Sequence, residues 1–244
     1  EHMRIIFNAI LMILEVAAIA GIAWLGLNYP LIFAGLTAAT ALALGVGLEI
    51  ARLKNELPFY FDRPPGKFAL FTAFVGSTEA FVKALLAGVV ALLTFLGTDH
   101  DRLTIVALCF AACLFIGVQV VRFLADKFQA RPLRWGYFRL APPLGLMFSA
   151  GLSFLSSPGI TEMAKRAAFD LPERPSLQQA SEFLFLLKQS FDDIVERMLG
   201  LVFETGVAQG IAAVVSVNML SGFVLALYAV LIAEGVRFLE QTNT

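Results

Sequence analysis

Histidine, cysteine and charge are all in short supply. Two histidines occur in 244 residues, and His2 precedes Met3. Glu1 and His2 read as a cloning remnant ahead of a start methionine, which leaves His100 as the sole native histidine. Clustered-histidine metal sites and bis-histidine haem are thereby excluded. No metal or other cofactor is expected. The two cysteines, Cys109 and Cys113, lie four residues apart in one apolar run. An intra-helix disulfide has poor geometry at that spacing, and a metal site would need further ligands. Both read as small apolar packing residues.

Charged residues make up 15% of the chain, against roughly 25% in an ordinary soluble domain. The net charge of −1 gives nucleic acid nothing to bind. There is no paired-histidine motif, no aspartate-rich pair, no G-x-S-x-G and no internal repeat. An enzyme needs convergent reactive groups, so a membrane-embedded lipid-modifying enzyme ranks last among the functional classes. A cleavable signal peptide is also missing, because the first apolar run is too long for one and should stay as a helix.

What remains is apolar. Hydrophobic residues are 59% of the chain and mean hydropathy is +0.80. Ile5 to Leu27 is broken only by Asn8 and Glu15. About 20 apolar residues cross a hydrocarbon core of roughly 30 Å. The pattern predicts an all-α, polytopic transmembrane bundle with about six spans. Their expected limits are 5–27, 31–51, 79–98, 103–121, 140–160 and, for the sixth, 217–236. Residues 4–160 then form a five-helix region. Residues 161–198 form a periplasmic or extracellular helical segment, and 199–244 hold an outer-leaflet or tilted helix plus the sixth span.

Charge sets the expected orientation. The connections after spans two and four hold Arg52, Lys54, Arg63, Lys67, Arg122, Lys127, Arg131, Arg134 and Arg139, while the short ones opposite hold Arg102. The positive-inside rule puts both termini in the cytoplasm. A multi-pass protein of a bacterial inner membrane fits this pattern.

Helix 3 is ambiguous. The low-charge stretch 68–98 would be about 46 Å long as a helix, more than the membrane needs. An apolar cytoplasmic or interfacial extension through Phe68, Phe71, Phe74 and Val75 is expected below a boundary near Glu79.

Few polar residues could carry function. Glu15 should sit near the bilayer midplane, where a carboxylate is costly and is a functional candidate by default. It could lie on an ion or proton path, form half of a buried ion pair, or pack as a neutral group. Glu79 and Lys83 are spaced i,i+4, and Lys83 is the expected partner of Glu15 across helices 1 and 3. Glu49, Glu234, Gln119 and Asn218 read as ordinary helix-end residues. Glu204 and Gln209 could line a vestibule if their segment dips into the membrane.

The outer segment begins with a capping-box pattern, Ser176 with Gln179. Ala180, Leu184, Leu187, Phe191, Ile194 and Met198 then follow in 4-3-4-3-4 steps, an a/d seam. Leu184, Leu187, Phe191 and Ile194 are the expected contact to a second copy or another protein. The segment's net charge of −2 disfavours anionic lipid. Beyond membrane lipid, the expected partner is a homo-oligomer or a larger membrane complex. Two functions lead: a small oligomeric channel or transporter using Glu15, and a non-catalytic subunit or assembly partner contacting its complex through the outer helix.

Overall fold

A computed structural model of the chain describes residues 2–60, 68–97, 100–129, 139–155 and 217–242. Among the described residues it is all-helical, a helical membrane bundle with five helices long and apolar enough to cross a membrane. The elements are α1 (His2–Asn28), α2 (Pro30–Tyr60), α3 (Phe68–Thr94), α4 (His100–Phe128), α5 (Ala141–Leu155) and α6 (Ser221–Thr242). A 3-10 turn, Val217–Leu220, leads into α6.

Several expected limits move. α2 continues to Tyr60, so Arg52 and Glu56 belong to a helix rather than to a connection. Their ion pair at 2.6 Å, spaced i,i+4, supports the extra turns. α3 starts at Phe68, and the apolar extension before Glu79 is continuous with the span. α4 runs past the expected end at Val121 to Phe128. It carries Asp101 in its first turn and Lys127 in its last, which complements the helix dipole. Gln129 then takes a left-handed φ of 51° and stops it. α5 is described over 15 residues, so the described part of the fifth expected span, 140–160, is a short apolar helix, while the sixth, 217–236, is long enough to cross a membrane. Pro142 and Pro143 occupy its first turn, where the missing N–H groups cost nothing.

Periodicity explains which faces turn inward. On α1, Leu11, Glu15, Ile19 and Ala23 are buried at four-residue spacing, with exposed apolar residues between them. On α2 the buried stripe is Phe33, Thr37, Ala41, Gly45 and Glu49. Exposed apolar side chains between such stripes suit a lipid environment. α6 differs: Val224, Leu225, Ala226, Leu227, Ala229 and Val230 are all fully buried. A helix apolar and covered all round is a central helix, and α6 packs on α1, α3, α4 and α5.

Small residues set how closely the helices approach. Gly45 packs on Ala80, and Gly88 faces the Ala34 carbonyl and the Ala38 methyl, which brings α2 onto α3. Gly145 of α5 lies against the Met219 carbonyl, and Gly222 of α6 against the Ala141 carbonyl.

One aromatic cluster ties five segments together. Phe33 stacks on Tyr228 at 5.6 Å and meets Phe95 and Phe110 edge-on at 5.2 and 6.1 Å. Phe110 also meets Phe148 edge-on. Two hydroxyl pairs stitch the same level. Thr37 donates to the Phe33 carbonyl at 2.7 Å, so Tyr228 is the donor in its 2.9 Å bond to Thr37. Thr94 donates to Val90, so Ser221 donates to Thr94 at 2.7 Å. Tyr228→Phe is expected to lower stability by about 1 kcal/mol, the usual net worth of one hydrogen bond. The thermal midpoint of the purified protein checks this.

Candidate functional site: two charged clusters between the helices

The first cluster joins α1, α4 and α6. The inward stripe of α1 aims Glu15 at α4, and its side chain is 2% exposed. Arg122 Nη1 donates to Glu15 Oε2 at 2.8 Å, and Arg122 Nη2 donates to Glu240 Oε1 at 2.9 Å. Gln119, one turn before Arg122, donates from Nε2 to Glu15 Oε1. Both carboxylate oxygens of Glu15 are therefore bonded. Such pairing offsets the cost of placing the carboxylate away from water. Arginine suits the task because its planar fork can serve two carboxylates at once.

The second cluster joins α2 and α3. Glu49 ends the inward stripe of α2 and is also 2% exposed. Lys83 Nζ donates to Glu49 Oε1 at 2.7 Å and lies 3.8 Å from Glu79. Arg52 lies 3.6 Å from the other Glu49 oxygen and bonds Glu56.

The expected Glu15–Lys83 pair is thus not formed. Lys83 serves Glu49 and Glu79, while Glu15 is held by Arg122 and Gln119. Of the three sequence candidates, Lys83 and Glu79 come together and Glu15 lies in the other cluster. Glu49 and Gln119, read as ordinary helix-end residues, both hold buried ion-pair positions. Arg122, read as part of a basic connection, is inside α4. A signal was present: Gln119 and Arg122 are spaced i,i+3, one helix face, and both end an apolar run. Glu204, Gln209, Leu184, Leu187, Phe191 and Ile194 lie outside the described residues, as does the basic stretch 61–67.

Depth follows from the helix rise. Trp24 and Tyr29 form an exposed edge-to-face pair at the α1–α2 turn, the place of an interfacial aromatic belt. From Tyr29 down to Glu15 is about 21 Å along α1, some two-thirds of a hydrocarbon core of roughly 30 Å. Along the bundle Glu15 lies at the level of Arg122 and Glu240. Glu234 lies about 9 Å further along α6 than Tyr228 of the aromatic cluster. Its Oε2 is buried and has no hydrogen-bond partner among the described residues.

Separate clusters carry a consequence. Glu15→Gln and Lys83→Met are expected to lower the thermal midpoint additively, since groups without shared partners seldom couple. A double variant milder than the sum would restore a direct Glu15–Lys83 interaction. Among the described residues no group of three or more His, Cys, Asp or Glu could hold a metal. Cys109 and Cys113 are both free and buried; the Cys109 thiol faces the Phe148 carbonyl at 3.8 Å.

Comparisons with protein-family models, with curated proteins and with solved structures find no match to this chain.

Proposed function

We propose that this multi-pass membrane protein is a non-catalytic subunit or assembly partner of a larger membrane complex, in a bacterial inner membrane with its basic end in the cytoplasm. The observation that carries this reading is Glu15. The one acid in the first span is closed off by Arg122 and Gln119 from a neighbouring helix, which is the arrangement of a strut. An ion-coupling carboxylate needs an exchangeable face, whereas both oxygens of Glu15 are bonded.

A surface for assembly supports it. Gly35, Ala39, Ala43 and Gly47 follow each other at four-residue spacing on the outward face of α2, and all four are exposed. Among the described residues nothing lies within 4 Å of a Cβ built on Gly35 or Gly47. Small residues at this spacing let a second transmembrane helix approach closely. The inner face of the same hairpin packs by that device.

Glu234 favours a second reading, a small channel or transporter. A carboxylate oxygen inside a span and without a partner among the described residues is what a conduction path uses.

One purification tests both. Wild type in mild detergent is expected to run as an assembly heavier than one 26.5 kDa chain, with Ala43→Leu reverting to the single-chain mass at an unchanged helical spectrum. Proteoliposomes should show no proton or cation flux. A single-chain mass for wild type, together with flux abolished by Glu234→Gln, overturns the assembly reading in favour of transport.

A further inference from the structure

At the basic end, α4 and α6 separate into a shallow cleft lined by Arg122, Ala125, Asp126, Ala233, Arg237 and Glu240. Its charges are unevenly used. Arg122 is already divided between Glu15 and Glu240. Asp126 and Arg237 face the same cleft, yet neither has an ion pair or hydrogen bond among the described residues. They stand farther apart than the 4 Å of an ion pair, so an acid and a base wait on opposite sides of one opening.

The surroundings belong to a membrane interface. Phe123 and Phe238 are exposed on α4 and α6 beside the cleft. Lys127 lies over the Phe123 ring at 5.4 Å. Asp126 is about 30 Å below the level of the α1–α2 turn, taken through the aromatic contacts of Phe33 and Phe110, the depth at which lipid headgroups begin.

We propose that this cleft binds the headgroup of a zwitterionic aminophospholipid. The phosphate takes the free guanidinium of Arg237, and the ammonium takes Asp126, with Glu240 behind it. The balance of charge selects this ligand over an anionic one. The lining holds two bases, Arg122 and Arg237, and two acids, Asp126 and Glu240. A headgroup with phosphate alone leaves Asp126 unmatched, whereas an ethanolamine headgroup brings both signs. Its primary ammonium also donates hydrogen bonds to the carboxylates, which a choline cannot.

Native mass spectrometry of the intact protein, delipidated and then titrated, reads the binding. The probes are short-chain phosphatidylethanolamine, phosphatidylcholine, phosphatidylglycerol and free phosphoethanolamine. The expected order puts phosphatidylethanolamine at least tenfold tighter than the other two lipids. Arg237→Gln and Asp126→Asn should each remove that preference about tenfold, at an unchanged thermal midpoint in lipid-free detergent. Free phosphoethanolamine should bind weakly, because it lacks the chains that Phe123 and Phe238 would meet. Equal retention of all three lipids overturns the proposal, as does a preference that survives both substitutions. Free phosphoethanolamine binding as tightly as the lipid would overturn the membrane source and make the ligand a soluble zwitterion.

Discussion

Arg122→Gln is expected to destabilise the bundle by about 3 kcal/mol, the lower end of the roughly 3–5 kcal/mol for leaving one half of a buried ion pair alone. The lower end applies because the Arg122 side chain is 27% exposed and water can reach part of the site. Glu15, at 2%, has no such relief: it would keep one bond from Gln119 and lose the one cation that pairs with it among the described residues. Glu240 would lose the same guanidinium, but it is part exposed and can be hydrated. The loss should therefore fall on the α1–α4 contact and less on α6. Glu15→Gln together with Arg122→Gln removes both charges and leaves amides that can bond each other. That double variant should regain most of the stability lost by Arg122→Gln alone. Thermal midpoints of the four proteins in one detergent check this. Additive losses would sink the pairing, because a coupled pair must depart from additivity.

The same pair shows where a sequence reading runs out. Membrane class was legible from the scarcity of charge and from the first apolar run. The inward position of Glu15 was legible too, since Leu11, Glu15, Ile19 and Ala23 share one face. Its partner was not, because Arg122 was counted among the cytoplasmic residues of a connection. Hydropathy marks where a helix leaves lipid, not where it ends, and α4 continues for six residues past Arg122. α2 repeats the pattern: Arg52 and Glu56 lie on a helix that outlasts its apolar segment. The contacts of α1 align Glu15 with the last turns of α4 and α6, a level that hydropathy alone does not give. Glu234 was dismissed as a helix-end residue because α6 was expected to stop at Val236; the helix runs on to Thr242, which places Glu234 well inside it.

Glycine composition hid an equally large effect, since most of the glycines look alike in the sequence. Gly145→Ala and Gly222→Ala are each expected to cost about 3 kcal/mol, the upper part of the usual overpacking range. A Cβ at Gly145 would overlap the Met219 carbonyl oxygen, and one at Gly222 the Ala141 carbonyl oxygen and the Gly145 backbone. Neither obstacle is a flexible side chain. Ala141 opens α5 just before Pro142 and Pro143, and Met219 belongs to the 3-10 turn that starts α6, so relief requires moving a helix. Separation of α5 from α6 would also pull on Leu144, which packs against Gly117 of α4. Gly235→Ala is the control on the same helix, because a Cβ there meets nothing within 4 Å among the described residues. It should leave the thermal midpoint unchanged or raise it, since alanine is the better helix former by roughly 0.5–1 kcal/mol. If Gly145→Ala and Gly222→Ala melt with Gly235→Ala, the two helices do not cross backbone to backbone. If both fall well below it, the start of α6 is fixed by main-chain contact with α5. The central helix is then held at both ends: by Gly145 and Gly222 where it enters the bundle, and by Arg122 and Glu240 where it leaves.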